Sequence, residues 1–313
     1  MRSFRNPSFG ASRSDRSRRS ARSSRWLILA GCLAVTSVVV IAQQRGPAPL
    51  KPGECPRENV AFHACALEKA KTFNPPRTAD GVPDFQGYWR GQGGGVENIE
   101  AHEGNGDVNA GPTWIVDTPD GKIPYQPWAL VRRKTNFEQY LDPNVPCLSS
   151  GVPRFFYTPG DMNISQAPGM IAMTHSRSHT FRVIPIGNGG PSRIDSSVRL
   201  WLGASRGRWD GNTLVVDVTN QHAKWWFDQA GNFASADVHV VERLTMIDAD
   251  TIHYEARIED PTVYTQPWTM VFAIRRITMP KYEIWEEACH EGEHDTEHLL
   301  GTGLKWFPGV SRP

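Results

Sequence analysis

The chain has 313 residues, of which 39% are hydrophobic and 21% are charged, a composition typical of a soluble globular protein. Its formal net charge of +1 hides an asymmetry, because residues 1–25 carry eight arginines against one acid, Asp15. A basic charge confined to a leader argues against a nucleic-acid-binding domain, which would spread Lys and Arg over a folded face.

Residues 1–42 predict an export signal. A basic region precedes the apolar run of residues 26–42, which ends in small residues as secretory signal peptides do. We expect cleavage near Ala42 and a periplasmic or secreted mature chain. Two alternatives stay open: a lipoprotein box at Cys32, with few apolar residues before it, and an uncleaved anchor at the short end of what spans a bilayer. We expect contact with a membrane only through this N-terminal segment, if it is uncleaved.

Residues 43–77 predict a linker followed by a short helix. The first part is rich in Pro and Gly, residues 58–71 have a helical pattern, and Asn74-Pro75-Pro76 ends it.

The cysteines agree with export. Besides Cys32 there are four, an even number that favours disulfides outside the cytoplasm and allows three pairings. Because two of them flank and enter the short helix, we favour Cys55–Cys65, which leaves Cys147–Cys289. Free buried thiols are the alternative.

Residues 78–313 predict a single β-rich domain. A turn leads into an aromatic strand ending at Trp89, and residues 128–140 form a second helix candidate. Asp210-Gly211 is a strong hairpin signal. The predicted strands cover residues 170–175, 179–186, 198–203, 214–218, 238–246, 251–259, 268–277 and 282–288. We expect a mainly β fold, an antiparallel meander that closes into a lipocalin-like barrel with an N-terminal arm of short helices and loops.

One literal metal motif is present. His290-Glu291-Gly292-Glu293-His294 fits H-E-x-x-H, in which two imidazoles one helical turn apart bind Zn²⁺ and the Glu activates water. It directly follows a predicted strand and has a glycine inside the required helix, so we expect no metal here and keep a zinc hydrolase as a minor alternative.

Two strands carry candidate acid/base groups. His175, His179 and Arg182 come from a polar strand, where imidazoles titrate near neutral pH and an arginine binds a carboxylate. In the second hairpin, a tight turn at Ala249-Asp250 would set Glu242 opposite Arg257. His239 interrupts an apolar strand there. A structural histidine and solvated surface pairs are the alternatives.

Most tryptophans are expected in the core. Trp225-Trp226-Phe227 is the exception, because adjacent large aromatics in a loop are not expected to all turn inward. We predict that these three residues, with Tyr254, line a pocket for an apolar or aromatic ligand.

Several stretches carry a resemblance. DGVPDFQGYWRG, GKIPYQPWA, DPNVPCLSSGVPR, GRWDGNTLVVDVTN and the run ending in RIEDP, followed by EACHEG, resemble a broad group of uncharacterised secreted proteins of environmental bacteria. The resemblance covers roughly residues 78–302. Members of that group carry Cys-His-Glu-Gly followed by Asn, so His290 and Glu291 match and His294 does not.

These observations predict a secreted protein that acts on an apolar, aromatic or isoprenoid-like small molecule by cofactor-free acid/base chemistry, as a lyase, decarboxylase, isomerase or hydrolase. In this hypothesis His239 or His175 moves the proton, Arg182 binds an anionic group, and Glu242 or Glu255 orients the imidazole. The alternative is a non-catalytic carrier with the same cavity. The candidate catalytic residues are His175, His179, Arg182, His239, Glu242, Glu255 and His290.

Overall fold

The structure is a computed structural model that describes residues 50, 52–104, 109–178, 180–188, 192, 194–291 and 293–310. The predicted leader, residues 1–42, lies outside the described residues, as do Cys32, His179 and Gly292. Residues 50–313 belong to one compact unit.

The described part of this unit is mainly β. Its helices are α1 (Asn59–Ala70), α2 (Pro127–Gln139), α3 (Asp295–Gly301) and a 3-10 turn (Arg154–Phe156). Its strands are β1 (Gly87–Gly91), β2 (Met162–Ala167), β3 (Met170–His175), β4 (Phe181–Pro185), β5 (Ala204–Asp210), β6 (Thr213–Thr219), β7 (His239–Asp248), β8 (Thr251–Glu259) and β9 (Trp268–Arg276).

The described strands form a single sheet in the order β4-β3-β2-β1-β9-β8-β7-β6-β5. Every neighbouring pair is antiparallel. The predicted meander is therefore confirmed, with one long-range addition: β1 pairs with β9, so the first and last strands meet in the middle of the sheet.

The sheet curls into a nearly closed barrel whose seam lies between β4 and β5. Nine strands that alternate in direction leave two edge strands that run the same way, so an antiparallel closure is impossible. The seam accordingly carries a parallel contact between Ile186 and Gly207, and the Gly187 N–H donates to the Gly207 carbonyl at 2.9 Å. A side chain at Gly207 would collide with Ile186, because its Cβ would lie 2.5 Å from the Ile186 Cδ1.

Side chains fill the interior of the barrel. Alternate residues of each strand point inward, and the 3-10 turn inserts Phe156 among them, with its ring 4.7 Å from Tyr254. The turn is held by a buried ion pair, in which Arg154 donates to Asp142 at 2.6 and 3.0 Å. A Cβ on Gly91 would lie 1.8 Å from the Phe156 carbonyl oxygen, so β1 admits this turn only with glycine there.

Helix α1 packs on the outside of the sheet. A small separate core of Phe62, Ala66, Ile247 and Ala273 joins it to β7 and β9. The Glu58 side chain caps the helix by accepting from the backbone N–H groups of Val60 and Ala61. No helix in the described part of the chain is long and apolar enough to cross a membrane.

Both predicted disulfides are formed, Cys55–Cys65 and Cys147–Cys289. The first fastens the N-terminal end of α1, and the second links the loop after α2 to the segment after β9. Disulfides persist in oxidising compartments, so the two bonds indicate an oxidising environment for the folded chain.

Two predicted strands are wrong and two strands were missed. Residues 198–203 make only an isolated bridge, Leu200 with Gln221, and the chain turns away at Gly203, whose φ is +65°. Residues 282–288 make a single bridge, Arg177 with Glu287, because Arg177 lies in the turn between β3 and β4 rather than in a strand. The unpredicted strands are β2, which pairs with β1 and β3, and β5, which pairs with β6.

Candidate functional site

The predicted arginine and glutamate form an ion pair inside the barrel. Arg182, from β4, donates to both carboxylate oxygens of Glu242 on β7, through Nη1 at 3.0 Å and also through Nη2. Its Nε donates to the Ser205 hydroxyl at 3.0 Å, and the Tyr254 hydroxyl donates to Glu242 at 2.7 Å. The anion that Arg182 binds in this structure is therefore Glu242 itself, whereas we predicted that Arg182 binds an anionic group of the substrate and that Glu242 or Glu255 orients an imidazole.

This network also crosses the seam. Arg182 lies on one edge strand and Ser205 on the other, so their hydrogen bonds join β4 to β5 where backbone pairing is sparse. Arg182 is 3% exposed and Glu242 is fully buried. Buried charges are stable only when paired in this way, and the arrangement closes the barrel.

The predicted register of the second hairpin holds at its turn, but a bulge shifts the pairing of β7 with β8 by one residue along the rest of the hairpin. Asp248 pairs with Thr251, as a tight turn requires, but Met246 pairs with Ile252, so Ile247 is an extra residue. Glu242 consequently pairs with Ala256 rather than with Arg257. A shift by one residue exchanges faces, and it places Arg257 outside the barrel while Glu242 stays inside.

His239 points away from Glu242. It lies on the outer face of β7, where its Nε2 is 3.2 Å from Asp217 and its Nδ1 is 3.8 Å from Glu259. Its side chain is 36% exposed. The predicted orienting role of Glu242 toward His239 is thus wrong, and two exposed carboxylates from β6 and β8 take that place.

His175 is the last residue of β3, whose first residue is Met170, and its side chain is buried. Its Nδ1 accepts from the Arg177 backbone N–H at 3.1 Å, which leaves the proton on Nε2. Among the described residues Nε2 makes no hydrogen bond of ordinary geometry, although the Thr158 backbone lies close enough to favour the protonated ring. Burial lowers the pKa of His175 to about 4, so the imidazole is neutral at physiological pH. With 6% exposure it is closed to a substrate in this conformation.

The Asp161 carboxylate lies near His175 and accepts hydrogen bonds from two side chains. Arg90 donates to Asp161 at 2.5 and 2.9 Å, and the Tyr282 hydroxyl donates to the same carboxylate. Burial disfavours the charged form, but these hydrogen bonds outweigh it and hold the pKa of Asp161 below its ordinary value. Tyr282 is affected the other way: partial burial and then the hydrogen bond to Asp161 raise its pKa to about 12.

The predicted pocket aromatics are all buried. Trp225, Trp226, Phe227 and Tyr254 are each no more than 1% exposed. The expectation that three adjacent aromatics cannot all turn inward is wrong, because this segment is irregular and each ring packs against a different neighbour. Trp225 covers Gly151, Trp226 contacts Phe307 at 5.3 Å between ring centroids, and Phe227 contacts Trp268 at 5.4 Å.

The H-E-x-x-H segment does not form the required helix. His290 and Glu291 lie in an exposed turn next to Cys289, while α3 begins only at Asp295, with His294 as its N-cap. The two imidazoles therefore do not stand one helical turn apart, and the zinc-protease geometry is corrected.

The concave feature that sequence reasoning missed is a groove of about 500 Å³ at one mouth of the barrel. We call it the mouth groove; it runs between the 78–86 segment, the β2–β3 turn and the end of the seam. Trp209 forms part of its wall and contacts Phe85 edge-on at 5.6 Å. The groove is lined by Thr78, Ala79, Asp80, Val82, Gln86, Gln166, Ala167, Pro168, Gly169, Met170, Ile171, Ile186 and Trp209.

Gln166 shapes one wall of the mouth groove. Its side-chain oxygen accepts from the Phe85 N–H at 2.5 Å, and its amide nitrogen donates to the Pro83 carbonyl at 3.0 Å. The 78–86 segment is thus fastened to β2. The groove was missed because β2 was not predicted and because Trp209 was assigned to the core by default. The hairpin signal after Trp209 does place that ring at a strand end.

The fold and disulfides define a class: an antiparallel β barrel, disulfide-bonded, with a plugged interior and an apolar groove at its mouth. No protein-family model matches the chain, and no curated protein shows significant sequence similarity to it. The resemblance to secreted proteins of environmental bacteria stays a prediction.

Proposed function

We propose that this protein binds a small apolar molecule with aromatic character in the mouth groove, as an exported ligand-binding or carrier protein. The observation that carries the proposal is the groove itself. Its volume lies within the range of small-molecule sites, about 300–1,000 Å³, and most of its wall is apolar.

The polar groups of the groove favour a ligand with few polar atoms. The Gln86 side-chain amide has no hydrogen-bond partner among the described residues, so it is free to bind one hydroxyl or carbonyl. The Gln166 amide is already used at both ends. One aromatic wall and one free amide suit an isoprenoid-like or aromatic compound with a single polar group.

Acid/base turnover is the competing proposal, and the geometry favours it less. The lining of the mouth groove contains no histidine, and His175 lies at the other end of β3. Arg182 and Glu242 bind each other, and His239 faces outward.

The disulfides support export as part of the proposal, with residues 1–42 as the leader and cleavage near Ala42.

Binding of N-phenyl-1-naphthylamine, a neutral aromatic dye that fluoresces in apolar sites, tests the groove. We expect saturable binding to the wild type and at least about tenfold weaker binding to Trp209→Ala, since removing a large buried aromatic contact costs about 1.5 kcal/mol or more. Met170→Glu, which puts a charge at the groove's edge, should weaken binding similarly.

Trp285→Ala is the matched control, because that indole is 72% exposed and lies outside the groove. Equal affinity of the wild type, Trp209→Ala and Met170→Glu would exclude the groove as the site. A natural ligand recovered chemically changed, with His175→Ala abolishing the change, would favour the enzyme over the carrier.

A further inference from the structure

Two histidines and a glutamate meet on the outer face of the barrel. His63, from α1, has its Nδ1 3.0 Å from the Nε2 of His253 on β8. Glu255 follows two residues later on the same face of β8. One ligand atom from each of the three residues lies within 4.8 Å of the other two.

These side chains are available to a metal ion. His253 is 4% exposed, and burial, followed by the charges of His63 and Arg243, lowers its pKa to about 3, so its ring is neutral. Glu255 is partly buried and has no hydrogen bond or ion pair within the part of the chain that the structure describes. A partly buried carboxylate without a partner, beside a neutral imidazole, lacks the compensation that such groups ordinarily have.

The helix that presents His63 is held firmly. The Cys55–Cys65 disulfide closes two residues beyond His63, and Phe62 packs with Ile247 in the small outer core. Asn59 donates to the Val271 carbonyl at 2.5 Å, and Lys69 binds Asp248 at 3.2 Å. Sites that must hold fixed geometry are built on such rigid elements, so His63 is preorganised over His253.

We propose that His63, His253 and Glu255 bind one divalent transition-metal ion, Zn²⁺. Two imidazole nitrogens and a carboxylate are a ligand set that zinc takes with a fourth position open to water or a ligand. Tetrahedral Zn–N bonds of about 2.1 Å place two nitrogens about 3.4 Å apart, so the observed 3.0 Å needs only a small opening. The proton now shared between the rings moves to the other nitrogen of its ring, a change of tautomer without net proton release.

Arg243 sets the affinity of this site. Arg243 stands directly opposite Glu255 in the register of β7 and β8, and its side chain binds Asp210 at 3.0 Å. A cation close to the ligands opposes metal binding, and the ion pair with Asp210 compensates it in part. Removal of the Arg243 charge should therefore tighten zinc binding, whereas a purely structural pair of histidines would show no such effect.

Co²⁺ and Zn²⁺ binding to the metal-stripped, disulfide-bonded full chain tests the site. We expect about one Co²⁺ per chain, with the visible absorption bands of a tetrahedral site, displaced by Zn²⁺. Glu255→Gln and His63→Ala should weaken binding at least tenfold, and Arg243→Gln should strengthen it severalfold. Circular dichroism without metal checks that each variant is folded.

Glu259→Gln is the matched control, because Glu259 lies on the same face of the same strand and outside the cluster. A folded wild type that binds no stoichiometric Co²⁺ or Zn²⁺ overturns the proposal, as does binding that Glu255→Gln leaves unchanged. Binding lost in His294→Ala and retained in Glu255→Gln would also overturn it, since the ion would then belong to the C-terminal histidines.

Discussion

At the scale of single residues, the barrel interior contains a buried ion pair, Arg182 on β4 with Glu242 on β7. A charged residue in an apolar strand signals function or a buried ion pair, and periodicity alone does not separate the two. The choice depends on whether another strand brings an opposite charge, and Glu242 comes from a strand 60 residues away. The same limit hid His63 and His253, which are 190 residues apart.

Breaking the interior ion pair should be costly. Glu242→Ala leaves the Arg182 cation buried without a partner, and we expect a loss of about 3–5 kcal/mol in the free energy of unfolding, measured by denaturant titration. The double change Arg182→Met with Glu242→Leu should recover most of that loss. Arg243→Ala, which breaks an exposed pair, should cost less than about 1 kcal/mol. A double variant no more stable than the single one would contradict this account.

Asp228 is a second buried charge at the residue scale. Its carboxylate accepts from the Ile99 N–H at 2.9 Å and from the Asn232 amide at 2.7 Å. These bonds, with the more distant Arg133 and Arg154, do not offset complete burial, which raises the pKa of Asp228 to about 6. The folded state therefore binds this proton more tightly than the unfolded state, whose aspartate titrates near about 3.9.

Stability should fall below about pH 6.5, because buried His175 and His253 resist the protonation that occurs in the unfolded chain. Asp228 acts in the opposite direction, since its proton uptake on folding stabilises the protein as the pH falls from about 6 toward 4. In Asp228→Asn that compensation is lost, so the drop in unfolding free energy between pH 6 and 5 should grow by about 1 kcal/mol. Exposed Asp120→Asn is the control, and equal slopes in all three proteins would refute the assignment.

At the scale of elements, local sequence patterns predicted where helices and strands lie better than they predicted how the strands pair. Helices α1 and α2, the strands from β3 onward apart from β5, and the turns of both hairpins were predictable from periodicity and turn residues. The bulge at Ile247 was not, because nothing in its immediate sequence marks an extra residue. Its cause is tertiary: the Ile247 side chain is buried against α1, outside the barrel. That single contact set the register of Glu242 and the face of Arg257.

The two disulfides should contribute unequally to stability. They close loops of 10 and 142 residues, and chain entropy predicts about 3 and 5 kcal/mol for loops of those lengths. Replacing Cys147 and Cys289 by serine should therefore lower the unfolding free energy by about 2 kcal/mol more than replacing Cys55 and Cys65. Denaturant unfolding of the two double variants measures the difference, and the reverse order would show that native contacts around α1 dominate.

At the scale of the whole molecule, the sequence predicted an antiparallel β barrel but not which strands pair to close it. Successive hairpins indicate a meander, but the pairing of β1 with β9 joins residues more than 180 positions apart, as in Trp89 with Arg276. The filled interior also escaped prediction, because it depends on the inserted turn at Phe156 and on Gly91, whose missing side chain admits it.

The seam has a consequence for how the chain tolerates cleavage. The seam divides the strands in chain order, with β1–β4 before it and β5–β9 after it. Within the one sheet these two groups are joined by the β1–β9 pairing and by the contacts across the seam, and the covalent connection between them runs through residues 187–203. A protease that cut this connection at residues 194–199 would sever no strand of the sheet. Cys147 and Cys289 lie on opposite sides of such a cut, so the two fragments would stay bonded as one nicked barrel until a reductant released them.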